Sequence, residues 1–109
     1  HTLPIYITEN GTCDNQDAFR SRFLFDHLQA LCQSMLPVKR YYHWCFTDNF
    51  EWAEGESARF GLVRVDYETQ KRTVKQSGSF FSEIIKQGGV TEPMYAQCVQ
   101  SQTYTVSAK

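Results

Sequence analysis

The sequence predicts an α/β fold built on parallel strands, and three observations carry that reading. Ile5-Tyr6-Ile7-Thr8 and Tyr41 to Thr47 are runs of β-branched and aromatic residues, the composition of buried strands. The stretch between them repeats its apolar residues at helical spacing. A strand-helix-strand crossover of that length closes as a parallel, right-handed unit rather than a hairpin.

Taken in order, the first strand ends at Glu9, and Asn10-Gly11 reads as a sharp turn. Thr12 to Gln16 is a polar loop. Asp17 is placed to cap a helix reaching Leu36, with Pro37 closing it. Leu24, Phe25, Leu28, Leu31, Cys32, Met35 and Leu36 form its apolar face, while Arg20, Arg22, Asp26, Gln29 and Gln33 fall largely elsewhere. After the second strand comes the acidic, aromatic loop Asp48-Asn49-Phe50-Glu51-Trp52, broken by Gly55. Phe60 to Tyr67 alternates as a short strand that Glu68 to Arg72 turns over. A second helix is expected from Ser77 to Lys86, with Phe80, Phe81, Ile84 and Ile85 inward and Gly88-Gly89 ending it. The tail, residues 90–109, is polar and weakly patterned: an edge strand, a surface wrap or a partly disordered segment.

At 109 residues the chain holds at most one domain. A formal charge of −1 creates no long-range field for nucleic acid or an anionic membrane. No apolar run reaches the roughly 20 residues of a membrane span. A chain that starts without Met and almost directly in a strand reads as truncated. Cys13, Cys32, Cys45 and Cys98 lack the close spacing of zinc or redox motifs, and Cys32 and Cys45 read as buried thiols. That points to a reducing, cytoplasmic setting. Asn10-Gly11-Thr12 matches a glycosylation sequon, a pattern common by chance. His1, His27 and His43 show no metal-ligand spacing, and His27 is expected to make a structural hydrogen bond. Lys71, Arg72 and Lys75 read as a solvated basic face.

The chemistry gathers at the strand exits. Parallel neighbours lie about 4.8 Å apart, so both strands deliver their C-terminal residues to one mouth. Glu9 would then share a pocket with Trp44, Glu51 and Trp52. A carboxylate facing indoles and a second carboxylate suits a sugar, whose axial hydrogens stack on aromatic faces and whose vicinal hydroxyls fit bidentate acceptors. A simpler explanation stays open: the indoles pack in a core, and Glu9, Glu51 and Glu54 are solvated.

These motifs, taken together, resemble one family. Ile7-Thr8-Glu9-Asn10-Gly11, then Asp17, Arg20, Leu24, His27 and Leu28, then Trp44 through Asp48-Asn49-Phe50-Glu51-Trp52, Gly55, Arg59 to Val63, Val65-Asp66-Tyr67, Lys71-Arg72 and Lys75 are similar to the C-terminal quarter of family 1 glycoside hydrolases. The resemblance implies a partial (β/α)8 TIM barrel, its strands 7 and 8 with their helices, over residues 1–89. It implies a retaining β-glycosidase acting on β-D-glucosides or β-D-galactosides, with no cofactor or metal. Glu9 matches the catalytic nucleophile and Trp44 the aromatic floor beneath the sugar. Glu51 matches the acceptor for the 4- and 6-hydroxyls, Trp52 a donor to the 3-hydroxyl, and Phe60 an aromatic near the 6-hydroxyl. Members acting on 6-phosphorylated sugars usually carry a Ser-containing segment followed by Lys and Tyr at Glu51-Trp52. Glu51 would repel a phosphate, which favours an unphosphorylated oligosaccharide.

The chain also departs from the family. The acid/base Glu of the fourth strand, in an Asn-Glu-Pro motif, has no counterpart here. Arg40 stands where Gly is common and Cys45 where Ser is common, and the Met35 to Val38 loop is short. A full barrel needs about 250 residues. The resemblance therefore implies an inactive segment that self-associates or joins a missing N-terminal barrel portion. The alternative is a non-catalytic sugar-binding or structural remnant.

Overall fold

The computed structural model describes residues 3–105; His1, Thr2 and the last four residues of the tail lie outside them. β1 (Ile5–Asn10) and β2 (Val38–His43) pair in parallel, joined by helix α1 (Arg20–Gln33), which is the crossover the sequence predicts, although β2 starts and ends earlier than the expected Tyr41 to Thr47. β3 (Val63–Val65) and β4 (Arg72–Val74) form an antiparallel hairpin, followed by α2 (Gln76–Gln87) and α3 (Glu92–Cys98). Among the described residues no helix is long and apolar enough to cross a membrane.

α1 ends at Gln33 rather than Leu36, and Met35 has a left-handed φ of 58°. Leu36 precedes Pro37, whose ring disfavours helical backbone in the residue before it. That early stop swings Met35 into solvent at 89 % exposure. Cys32 and Leu36 are exposed as well, so the expected burial of Cys32 does not hold. The helix buries Leu24 and half-buries Phe25 and Leu28, while its last turns run past the short two-stranded sheet.

Asp17 does not cap α1. Asp14 does the nearer work, accepting from the backbone N–H of Ala18 and Phe19 at 3.0 and 2.8 Å. Asp17 has a φ of 56° and turns its carboxylate to α2 instead. It accepts from the Ser77 N–H at 3.0 Å and from the Ser77 hydroxyl at 2.6 Å, satisfying a donor that the first turn of α2 leaves unmatched. The Ser21 hydroxyl donates to Gln76 at 2.6 Å beside it, so the two helices start side by side.

Leu24, Leu62, Phe80 and Val99 form the buried core between these elements. Phe80 of α2 is inward as expected, but Ile85 is 68 % exposed. Gly88, with φ 74°, ends α2 with its N–H on the Ile84 carbonyl, the left-handed cap that glycine permits. The tail is not structureless. Thr91 caps α3, Val99 enters the core, and the chain then returns along α1. There Arg22 donates to the Gln102 and Val99 carbonyls, and the Tyr104 hydroxyl donates to Asp26 at 2.6 Å.

Candidate functional site at the strand exits

The β1–β2 pair has a helix side and an open side. Asn10 belongs to the helix side: its Oδ1 accepts from the Tyr41 hydroxyl at 2.8 Å, and its Nδ2 donates to His27 Nδ1 at 3.1 Å. His27 stacks on Phe23, with ring centroids 3.8 Å apart, and makes the structural bond expected of it. Burial pushes the Tyr41 phenol up to about 12, which keeps it a neutral donor. The Asn10 amide is thus engaged at both ends, and the sequon holds no free side chain in the folded chain. His43 also lies on this side, against Phe81 of α2.

The β1–β2 ladder is irregular between Ile7 and Asn10, so strict alternation breaks just before the exit, where the neighbours Glu9 and Trp44 follow Thr8 and His43. Both are exposed, Trp44 by 36 %. They leave the sheet together: Asn10 pairs with His43, and the Trp44 N–H donates to the Asn10 carbonyl at 2.9 Å. Gly11 is required by close approach rather than by turn geometry. A Cβ there would lie 1.7 Å from the Trp44 carbonyl oxygen, so only glycine lets the chain after Glu9 pass Trp44.

Trp44 Nε1 donates to both Glu51 oxygens, at 3.4 and 3.3 Å, which joins two of the candidate residues directly. Trp52 opens the short 3-10 turn Trp52–Glu54 with φ 49° and is 84 % exposed. Neither indole is buried among the described residues. Phe60 is half-buried, and its carbonyl accepts from the Cys45 N–H at 3.2 Å. Among the described residues, no side-chain hydrogen bond joins Trp52 to Glu9. Cys45 is buried as expected; burial, then the charges of Glu51 and Asp48, pushes its thiol up to about 11.

Two buried charged clusters behind this face were not anticipated. Arg20, assigned to the polar side of α1, is fully buried. It donates to Asp17 at 2.6 Å and to the Thr12, Asp14 and Arg59 carbonyls at 3.3, 3.0 and 2.8 Å. Lys75 is no solvated base: it is 9 % exposed and donates to Asp48 at 2.9 Å. Asp48 also accepts from Arg59 and from the Gly61 and Val65 N–H groups. Burial acts to raise the Asp48 carboxyl, but Lys75, Arg59 and Gly61 outweigh it and hold it below the ordinary carboxylate value. The partners lie up to 39 positions apart for Arg20 and 27 for Lys75, beyond any local spacing rule. A concavity of about 570 Å³ lined by Phe46, Leu62, Val74, Phe81 and Ile85 contains none of the candidate residues. Its lining is mostly apolar, with Ser79, Ser82, Glu83 and Lys86 also present.

Residues 1–90 match the model of glycosyl hydrolase family 1. The chain belongs to this family. It is 42 % identical over 100 residues to a 1,4-β-D-glucan glucohydrolase of Thermotoga neapolitana, with 81 % of this chain and 22 % of that protein covered. It is 45 % identical over 93 residues to a chloroplastic galactolipid galactosyltransferase of Arabidopsis thaliana, covering 82 % of this chain and 15 % of that protein. Among solved structures, it is similar to a family 1 β-glucosidase from Thermotoga maritima with a TM-score of 0.74 and 42 % identity. That match covers 82 % of this chain and 23 % of the other. The chain thus spans about a fifth of the length of the relatives it matches.

Proposed function

We propose that this chain supplies the nucleophile-bearing wall of a retaining β-glycosidase for β-D-glucosides or β-D-galactosides, as the last two βα units of a (β/α)8 barrel. The observation that carries this reading is the shared open face: Glu9 and Trp44 leave paired parallel strands together, and Glu51 is tied to the Trp44 indole. In the retaining reaction, a Glu9 oxygen attacks the anomeric carbon while a second carboxyl protonates the departing oxygen. The resulting glycosyl ester is then cleaved by water, with that second carboxylate taking the water's proton. The two carboxyls must stand about 5–5.5 Å apart. No motif in these 109 residues supplies the second one. It comes from earlier strands of the barrel, so the chain alone is inactive. Trp44 stacks on the apolar face of the sugar, Glu51 accepts from its 4- and 6-hydroxyls, and Trp52 and Phe60 complete the rim.

Alone, the chain exposes Tyr6, Tyr42, Trp44, Phe46, Phe50 and Trp52. Open strand edges beside apolar side chains favour self-association, and light scattering that finds only monomer at high concentration removes that part. The catalytic reading is tested by co-expressing the chain with the complementary N-terminal segment of the Thermotoga maritima β-glucosidase. Hydrolysis of an aryl β-glucoside should appear and fall on the order of 10⁴-fold in Glu9→Gln. A 2-deoxy-2-fluoro glucoside should leave its sugar on the peptide containing Glu9. Labelling elsewhere, or full activity in Glu9→Gln, overturns the assignment.

A further inference from the structure

We infer that Asp48 is a positioning residue, one that holds Glu51 against Trp44 and so sets recognition of the sugar's C4 and C6 side; this rests on the glycosidase reading above. Asp48 is 3 % exposed, and its carboxylate is filled on all sides. Oδ1 accepts from the Gly61 N–H at 3.0 Å and from Lys75 at 2.9 Å. Oδ2 accepts from Arg59 and from the Val65 N–H at 3.3 Å. A carboxylate has about four acceptor positions, so none remains for substrate or solvent. Its role is therefore exerted through what it holds.

The held object is the segment carrying the sugar-facing groups. The four donors come from the far limb of the loop, from β3 and from the residue preceding α2, whereas Asp48 lies between Trp44 and Glu51. Its backbone is clamped as well: the Asp48 N–H donates to the Val63 carbonyl at 3.0 Å, and Thr47 bridges to Val63. Gly61 permits this contact, since a Cβ there would lie 2.2 Å from the Asp48 nitrogen. Arg59 extends the clamp by lying over the Tyr67 ring at 4.9 Å, and the Tyr67 hydroxyl donates to the Asn49 carbonyl at 3.3 Å. Beyond Asn49, the Glu51 N–H donates to the Gly55 carbonyl at 2.8 Å, closing residues 51–55 into a small turn. That turn is therefore carried on a stem whose buried anchor is Asp48. The Trp44–Glu51 bonds, at 3.3–3.4 Å, are long and exposed, so they do not fix Glu51 by themselves.

The test uses the 109-residue chain and its two tryptophans, whose indole N–H signals are assigned in ¹⁵N-labelled protein with Trp52→Phe. Glu51→Ala marks the Trp44 signal with its acceptor removed. Asp48→Asn is expected to move the Trp44 signal to that same position while the methyl signals of Leu24 and Val99 stay put. A folded Asp48→Asn chain with an unmoved Trp44 signal overturns the inference. Should Asp48→Asn not fold, Tyr67→Phe decides: a partial shift in the same direction supports the inference, and none overturns it. In the barrel completed by co-expression, Asp48→Asn should lower kcat/KM at least tenfold more for an aryl β-glucoside than for the β-xyloside, which lacks the C6 hydroxymethyl. Equal losses on both substrates overturn the link to specificity. Spectral shifts without activity in any completed barrel instead count against the glycosidase reading and leave the Asp48 anchor standing.

Discussion

The two faces of the β1–β2 pair are built from adjacent residues yet obey opposite rules. On the helix side, Asn10, Tyr41 and His27 satisfy one another, and little polar capacity is left over. On the open side, Glu9 and Trp44 stand exposed one residue away. The first arrangement is what a folded interior requires, since buried polar groups cost free energy unless they are bonded. The second is what a binding wall requires, with acceptors and an aromatic face kept available for an external partner. The irregular register between Ile7 and Asn10 and the close Gly11 contact with Trp44 decide which residues reach each face, and so matter more than any single bond.

The largest test of this contrast removes an anchor from the satisfied side. Arg20→Met takes a fully buried guanidinium away from three carbonyls and from Asp17. Stability should fall by about 3–5 kcal/mol, read from urea titration followed by circular dichroism. A loss below about 1 kcal/mol would mean that the cluster is not structural.

Satisfaction on that side is incomplete: Arg20 Nε and both ring nitrogens of His43 are buried without a hydrogen-bond partner, and the His43 ring has none at all. Burial, the largest influence, pushes its imidazole down from 6.5 to about 4; the nearby Phe60 carbonyl opposes this but makes no hydrogen bond, and Arg20 and Lys75 add to it. The folded state therefore binds this proton less readily than the unfolded chain. Stability should decline as pH falls from 6.5 toward 4 and owe nothing further to His43 below that. His43→Leu should raise stability by about 1–2 kcal/mol and flatten the melting temperature across that window. Asp48 acts lower: its carboxyl is held below 3.8, so the stability it contributes is complete above that pH and is lost as pH falls through the depressed value.

Tyr41→Phe deletes one bond of the helix-side relay and should cost about 1 kcal/mol. A widening of the Asn10 side-chain amide resonance should accompany it. At the bottom of the scale, Lys86→Ala breaks an exposed pair with Glu83 at 3.7 Å, and the expected change is under about 0.5 kcal/mol.

What could be read in the sequence follows the same division. The parallel pair, the crossover helix and the Gly88 stop are encoded locally by periodicity and turn residues, and the candidate site residues are nominated by contiguous motifs. Burial of Arg20 and Lys75 is not, because a charged residue enters an interior only when distant acceptors converge on it. Cys32, Met35 and Ile85 failed in the opposite sense. Their apolar character marks a face, but the face is wider than the neighbours present in these 109 residues can cover. Of the three readings of the tail, the surface wrap holds for Gln102 and Tyr104 along α1, while α3 and the burial of Val99 are specified by fit to the core rather than by any pattern of their own.

The cap that Asp17 places on α2 has an architectural consequence. The second helix takes its first-turn acceptor from a residue sixty positions upstream, so its starting point is written in another part of the gene. A peptide cut to the C-terminal third would fray where the intact chain is firm, and any graft of that helix into a new scaffold has to bring the upstream carboxylate with it.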